Sequence, residues 1–213
     1  MDTEKYKKFD HKSALEFADI ARNVFAPIYP VIAGQIMERY GERTGVCIDV
    51  GSGVASLAIA LARISDLKIY SLDFSDHILA IAKENLRDEG MLERIDLVLG
   101  DVHYIPFEKG VADLITSRGS LIFWKDQKTV FKEFYRVLKP GGMGYIGGGA
   151  GSAELYEKVG KEMQKRRDGW KGRPPRKSGK KDKERMEGFL KTAGFKKYHI
   201  TMDDSGFWVY FLK

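Results

Sequence analysis

The sequence contains a single cysteine, Cys47, among 213 residues. One thiol cannot form an internal disulfide or a cysteine-rich zinc site, so disulfide-stapled and zinc-ribbon classes are excluded, no metal site is expected, and a reducing compartment is indicated. No apolar run reaches the roughly 18 residues that a membrane-spanning helix needs. The charged N-terminal residues also lack the apolar stretch of a secretion signal. We therefore expect a cytoplasmic protein with no membrane partner.

The net charge of +6 is a local feature of the chain. Residues 161–185 hold twelve lysines and arginines and four acids, whereas the rest of the chain has 24 bases against 26 acids. Within this stretch, the segment 165–183 combines cations with Trp170, a composition found in solvated loops, in loops that bind small anions and in nucleic-acid patches. A solvated loop is the simplest interpretation, and RNA binding is the less favoured alternative.

Apolar runs of strand length alternate with helical patterns, which predicts an α/β fold. Strands are predicted at Val46–Val50, Lys68–Asp73, Ile95–Leu99, Asp113–Thr116 and Met143–Gly147, and a closing hairpin at Phe195–Met202 and Phe207–Leu212. Helices are predicted at Leu57–Ala62, Ser75–Arg87, Asp126–Leu138, Ala153–Arg167 and Lys183–Ala193. We expect one domain over residues 1–213, with a helical cap (1–44), a core (45–150) and a C-terminal part (151–213). Its sheet should be Rossmann-like, doubly wound, seven-stranded and mostly parallel, with a C-terminal antiparallel strand.

A glycine turn follows the first predicted strand, in the stretch Asp49-Val50-Gly51-Ser52-Gly53. The P-loop pattern, which has lysine and a hydroxyl residue after its second glycine, is absent, and that class of phosphate site is excluded. A dinucleotide site expects a third small residue, and Ser56 occupies that place. Spacing alone therefore leaves a dinucleotide and another nucleoside as candidate ligands.

Carboxylates at three predicted strand ends separate these candidates. Asp49 would face the negative charge of a pyrophosphate, which is unfavourable at any dielectric constant. Asp73 can accept both hydroxyls of a ribose, and Asp101 can accept from an exocyclic amine such as adenine N6. Three acids at neighbouring strand ends favour a nucleoside with a cationic, amino-bearing tail and no phosphate. S-adenosylmethionine combines these features.

Residues 46–149 resemble the class I S-adenosylmethionine-dependent methyltransferases, especially the group built around the methyltransferase 11 domain. The matching stretches, in the family's order, are VCIDVGSGVAS, SLDFSDHILAIAKEN, GDVHYIPFEKGVADLITSRGSLIFW and FYRVLKPGG. Ala55 departs from the pattern, because many members have a third glycine there. Ile78 stands where a methionine often packs over the adenine. The resemblance implies methyl transfer by direct displacement, with release of S-adenosylhomocysteine.

The resemblance also implies which residues bind the cofactor. The glycine turn would let the backbone approach the methionine end, and Asp73 would hold the ribose hydroxyls. Phe74 would pack beside the adenine, while Asp101 and the amide of Val102 would bind the purine. The full set implied is Asp49, Gly51, Ser52, Gly53, Asp73, Phe74, Asp101, Val102, Ser117 and Arg118.

No uniform catalytic group is implied, because a sulfonium methyl is already reactive and the enzyme mainly aligns an acceptor and excludes water. Ser117 and Arg118 would border the cofactor's amino-acid end and the acceptor. Arg118 would suit a carboxylate or phosphate on the acceptor, and a surface salt bridge is an equal alternative. His11 and Tyr29, in the N-terminal cap, are the other candidates for substrate contact.

The stretch Ser117-Arg118-Gly119-Ser120 stands where the family's amino-methylating branch on nucleic-acid bases and glutamine has Asn/Asp-Pro-Pro-Tyr/Phe, which argues against that chemistry. The leading hypothesis is methyl transfer to a small-molecule acceptor, and Arg118 raises the option that this acceptor is anionic. The alternatives are an RNA or protein methyltransferase that uses residues 165–183 and a non-catalytic cofactor-binding protein. A dehydrogenase is a more distant possibility.

Overall fold

A computed structural model describes residues 10–166 and 179–213. The strands are β1 (Val46–Val50), β2 (Lys68–Asp73), β3 (Ile95–Leu99), β4 (Ala112–Arg118), β5 (Leu138–Gly149), β6 (Lys197–Asp203) and β7 (Gly206–Leu212). The helices are α1 (His11–Ile20), α2 (Ile28–Tyr40), α3 (Ser56–Ala62), α4 (Asp76–Asp88), α5 (Gln127–Val137), α6 (Ala153–Arg166) and α7 (Gly179–Ala193). A π-helical turn, Ala21–Phe25, continues α1 towards α2.

The strands form one sheet in the order β3-β2-β1-β4-β5-β7-β6. The first five strands pair in parallel, and β7 runs antiparallel between β5 and β6. The predicted sheet, mostly parallel with a C-terminal antiparallel strand, is confirmed. The chain crosses from the β3 edge to β4 on the other side of β1, so the direction of winding reverses between β1 and β4. Ligands of open α/β sheets bind in the crevice at such a reversal.

Helices cover both faces of the sheet, as continuous apolar strands require. Within β1, Cys47 belongs to the apolar cluster packed by α2, α3, α4 and α6. Ile48 and Val50 belong to the opposite cluster, which α5 and α7 pack. Successive strand residues point to opposite faces, so one short run of apolar residues supplies both halves of the core.

Side-chain caps begin several of the described helices, α4 and α5 among them. Ser75 Oγ accepts from the backbone N–H of Ile78 at 3.3 Å, and Asp126 Oδ1 accepts from that of Thr129 at 3.1 Å. Each cap satisfies an N–H that lacks a partner within the first turn. Each of these two helices therefore begins one residue after its predicted start, because the predicted first residue is the cap. None of the helices in the described ranges is long and apolar enough to cross a membrane.

The fifth strand is longer than predicted. Residues 139–142 (Lys-Pro-Gly-Gly) were expected to stop a helix before a strand at Met143, but β5 already begins at Leu138, which pairs with Ala112. The register shifts between Ala112 and Leu114. An irregularity of this kind admits proline and glycine without ending the strand.

The described residues of the basic segment 165–183 are helical, because 165–166 end α6 and 179–183 lie in α7. The solvated-loop interpretation is wrong for these residues, and α7 begins at Gly179, four residues before the predicted start at Lys183. Asp182 lies in the first turn of α7, where a negative charge interacts favourably with the helix dipole. The remainder of the predicted loop, residues 167–178, lies outside the described residues.

Candidate functional site

The three predicted acids lie near the carboxyl ends of adjacent strands. β3, β2 and β1 are neighbours and run in parallel, so these ends share one edge of the sheet. Asp49 precedes the last residue of β1, Asp73 ends β2, and Asp101 follows β3 after one glycine. Ser117 and Arg118 end β4, on the other side of β1. The edge with the acids is therefore the edge where the winding reverses.

The glycine turn after β1 is held in a left-handed backbone conformation. Gly51 and Gly53 have φ of 62° and 57°. A Cβ on Gly51 would lie 2.5 Å from Cβ of Ser120, and one on Gly53 would lie 2.9 Å from the ring of Phe17 in α1. Both glycines are thus required by contacts with the chain itself. Pattern and spacing do not predict either neighbour, because both contacts join distant parts of the sequence.

Ala55 also adopts the left-handed conformation, with φ of 64°, and among the described residues it is the single non-glycine with positive φ. An L-residue in this region costs about 1–2 kcal/mol relative to glycine. This is the position where the sequence departs from a third glycine. The departure therefore strains the backbone locally, at the N-cap of α3.

Asp49 is buried, with 1% of its surface exposed. Its Oδ1 accepts from Thr116 Oγ1 on β4 at 2.9 Å, and its Oδ2 has no hydrogen-bond partner among the described residues. Burial raises the pKa of Asp49 to about 7, the Thr116 bond opposes the rise, and the charge of Asp73 adds to it. A buried acceptor atom of this kind is rare unless a ligand, water or ion completes it.

Asp73 is fixed by the backbone around it. Its Oδ2 accepts from Gly53 N at 2.9 Å, and its Oδ1 accepts from Ser75 N at 3.1 Å. Burial raises the pKa of Asp73, while these N–H bonds favour the ionised form. The carboxylate thereby ties the glycine turn to the end of β2. Phe74, the next residue, is partly buried.

Asp101 begins a single 3₁₀ turn, Val102–Tyr104. Its Oδ1 accepts from the backbone N–H of His103 at 3.0 Å and lies 2.5 Å from His103 Nδ1. His103 and Val102 are each 8% exposed. His103 follows Asp101 by two residues in the sequence, and the structure shows its direct contact with the Asp101 carboxylate.

Arg118 lies under the N-terminal cap and is partly buried. Its guanidinium carbon is 4.4 Å from the ring centre of Phe25 and 5.7 Å from that of Tyr29. Its Nε and Nη2 both donate to the carbonyl oxygen of Gly149, at 3.3 and 3.2 Å. Burial lowers the pKa of Arg118, and Tyr29 partly opposes this. Within residues 10–166 and 179–213 no carboxylate pairs with Arg118.

Ser117 is buried and linked to the glycine turn. Its Oγ lies 2.6 Å from Ser120 Oγ, which in turn donates to the carbonyl of Val50 at 3.3 Å. Ser52 Oγ is a further buried polar atom without a partner in the described residues. The ends of β1 and β4 are therefore joined by hydroxyl groups beside Asp49.

The predicted substrate contacts of the cap divide into two places. Tyr29 is buried beside Arg118, and burial raises the pKa of its hydroxyl. His11 is exposed at the start of α1, where its ring centre lies 5.9 Å from that of His77 on α4. His77 thus packs against the first residue of α1.

Cations that flank the undescribed residues 167–178 form local ion pairs. Arg166 pairs with Asp19 of α1 and lies 3.8 Å from Glu162, while Lys165 lies 3.1 Å from Glu162. Arg185 lies 3.1 Å from Asp182. Lys165 and Arg166, the bases of the segment 165–183 that end α6, are therefore already partnered by acids.

Comparison with known proteins gives consistent matches. A family model described as a methyltransferase domain matches residues 48–146. A crystal structure of a candidate S-adenosyl-L-methionine-dependent methyltransferase from Methanococcus maripaludis is 46% identical with a TM-score of 0.92, covering 97% of this chain and 94% of that one.

Curated relatives match over a shorter length. A demethylmenaquinone methyltransferase from Lactococcus lactis is 38% identical over 109 residues, which are 50% of this chain and 43% of that protein. The methyltransferase GfsG from Streptomyces halstedii is 33% identical over 109 residues, 51% of this chain and 39% of that protein. The alignments thus span less than half of the length of these two relatives.

Proposed function

Because this chain belongs to the class I S-adenosylmethionine-dependent methyltransferases, we propose that it transfers the cofactor's methyl group to a small-molecule acceptor with an anionic group. Arg118 would bind that group. The names of the curated demethylmenaquinone methyltransferases indicate a small-molecule acceptor in those proteins. The proposal that the acceptor carries a negative charge rests on the environment of Arg118.

The donor set at the strand ends fits the cofactor. Asp49 Oδ2 and Ser52 Oγ are buried polar atoms that lack partners among the described residues, and the cofactor's amino group can donate to such acceptors. Each oxygen of Asp73 already accepts one backbone N–H. The backbone N–H of Phe74 also favours the ionised carboxylate. A carboxylate offers about four acceptor positions, so at least one remains for the ribose hydroxyls.

We assign the cofactor's parts accordingly. The amino-acid end would lie at Asp49 and the Gly51–Gly53 turn, near Ser117, and the ribose at Asp73. The purine would lie between Phe74 and the Asp101-Val102 pair. When bound, the cofactor supplies an electrophilic methyl group on a sulfonium. The chain's own contribution is to bind and orient both partners and to exclude water. Phe17 contributes to the exclusion of water because its ring covers Gly53.

Tyr29 is assigned to orientation of the acceptor, not to proton removal. Burial raises the pKa of Tyr29, and the charge of Arg118 only partly opposes the rise. The hydroxyl therefore stays protonated at neutral pH and serves as a donor. The site therefore suits an acceptor whose attacking atom needs no general base to remove a proton.

The observation that carries the proposal is a guanidinium without a described counter-ion under two aromatic rings. A buried charge without a partner is costly. Stacking on Phe25 and the bond to Gly149 O offset part of that cost but add no negative charge. A carboxylate or phosphate on the acceptor would complete the site with charge-assisted hydrogen bonds.

The test is a methylation screen with matched acceptors. Small hydroxy- and amino-carboxylates and phosphomonoesters are each paired with an uncharged ester, and S-adenosylhomocysteine formation is measured. We expect activity with an anionic acceptor. Arg118→Met should raise its KM by about 10–100-fold, as loss of a charge-assisted contact implies. The KM for S-adenosylmethionine should remain unchanged.

Arg39→Met is the matched control, because Arg39 also lies over an aromatic ring, 5.7 Å from the centre of Tyr145, but is exposed. It should leave the KM of the acceptor unchanged. Equal use of charged and uncharged partners, with Arg118→Met affecting both alike, would contradict the proposal. Cofactor binding without turnover on any acceptor would favour the non-catalytic alternative.

A further inference from the structure

His103 connects the end of β3 to the start of α5. Its Nδ1 lies 2.5 Å from Asp101 Oδ1, and its Nε2 accepts from the backbone N–H of Asp126 at 3.4 Å. Because Nε2 faces a donor, the ring proton is on Nδ1, and His103 Nδ1 donates to Asp101. The contact with Asp126 therefore fixes the tautomer that holds Asp101.

The ring of His103 is more deeply buried than the carboxylate of Asp101. The side chain of His103 is 10% exposed, whereas that of Asp101 is 24% exposed. One oxygen of Asp101 accepts from both the backbone and the ring of the same histidine. Two bonds to one oxygen restrict rotation of the carboxylate. Any ligand that contacts Asp101 consequently meets an acceptor in a set orientation.

We propose that His103 is a positioning residue that holds the Asp101 carboxylate for an exocyclic amine, and so makes the site select adenine over hypoxanthine. This inference rests on the proposed cofactor site. Hypoxanthine has a carbonyl in place of the amine and an N–H on the ring. A carboxylate free to rotate can turn to that N–H, whereas one that is held cannot, and it meets the carbonyl oxygen instead. A site built to accept from an N–H rejects an analogue that lacks it.

The experiment compares the affinities of S-adenosylhomocysteine and S-inosylhomocysteine by calorimetry. His103→Asn places an amide N–H near the position of Nδ1 and keeps the bond to Asp101. His103→Gln places an amide near the position of Nε2 and keeps the contact with Asp126 N instead. The two variants thus separate the two bonds of the ring, and both keep a polar side chain.

We expect the native protein to prefer the adenine ligand by at least tenfold, and His103→Asn to preserve that ratio to within about threefold. His103→Gln should reduce the ratio about tenfold or more, through weaker binding of the adenine ligand and tighter binding of the hypoxanthine ligand. The control is His199→Gln, because His199 is exposed on β6, the edge strand at the opposite end of the sheet from β3. It should leave both affinities unchanged.

A ratio in His103→Gln equal to that of the native protein would overturn the inference. So would equal losses for both ligands, since these indicate a purely structural role for the ring. Native selectivity that survives His103→Gln would leave the proposed function intact. A native protein that binds neither ligand would overturn the proposed function together with this inference.

Discussion

Replacing Asp49 by asparagine should remove a pH dependence from cofactor binding. Asp49 is buried beside Thr116, and its pKa is raised from 3.8 to about 7. The bound cofactor's amino group would favour the ionised form, so at pH 7 the native protein should release about half a proton per ligand bound. Affinity should weaken about tenfold from pH 8 to pH 6, because the proton and the ligand compete for one carboxylate.

The same shift affects the unliganded protein. A pKa raised on folding gives stability that is fully present below the unfolded pKa of 3.8 and is lost as pH rises towards about 7. At about 1.4 kcal/mol for each unit, ionised Asp49 costs the unliganded fold roughly 4 kcal/mol above neutral pH. Asp49→Asn should therefore be more stable than the native protein at pH 8 yet bind the cofactor more weakly.

Calorimetry with S-adenosylhomocysteine, in two buffers of different ionisation enthalpy, measures the proton release directly. The ligand's own amino group titrates in both proteins, so the difference between native protein and Asp49→Asn isolates the carboxylate. Identical proton release and identical pH dependence in the two proteins would refute the reasoning. Asp49 would then have only a structural role, through its hydrogen bond with Thr116.

Three further substitutions test the site and its scaffold. Asp73→Ala should weaken S-adenosylhomocysteine binding by roughly 2–4 kcal/mol through lost charge-assisted hydrogen bonds; an unchanged calorimetric affinity would remove Asp73 from the site. Gly51→Ala should lower both Tm and affinity, because its Cβ would lie 2.5 Å from that of Ser120, and adding Ser120→Gly should restore part of both; no recovery would show that backbone strain dominates. Gly144→Ala places a Cβ 2.1 Å from the ring of Phe211 and should lower the free energy of unfolding by about 1–3 kcal/mol while the affinity stays unchanged; a lost affinity in folded protein would contradict this separation.

The first half of the sheet could be predicted to the residue from the sequence. β1, β2 and β3 have the predicted bounds, because each is a short apolar run closed by Asp or Gly at a strand end. The starts of β5 and α7 were missed for two different physical reasons. Pro140 and Gly141 predict a break, but the strand continues through them after the register shift. Residues 179–182 are helical but contain no apolar side chain that would show a helical period.

Within the site, local signals were informative and long-range contacts were not. The acids follow from strand ends, and the Asp101–His103 contact falls within one short turn, so a spacing of two residues could have indicated it. The contact of Phe17 with Gly53 joins a helix and a turn that no sequence period relates. That no acid among the described residues pairs with Arg118 depends in the same way on long-range contacts.

Arg118 belongs to the stretch shared with the family, residues 48–146, but the rings that flank it, Phe25 and Tyr29, precede that stretch. On the proposed assignment, acceptor recognition therefore involves residues that precede the shared stretch, whereas Asp49, Asp73 and Asp101 lie within it. Substitutions at Phe25 or Tyr29 would change the surroundings of Arg118 and leave these three acids in place.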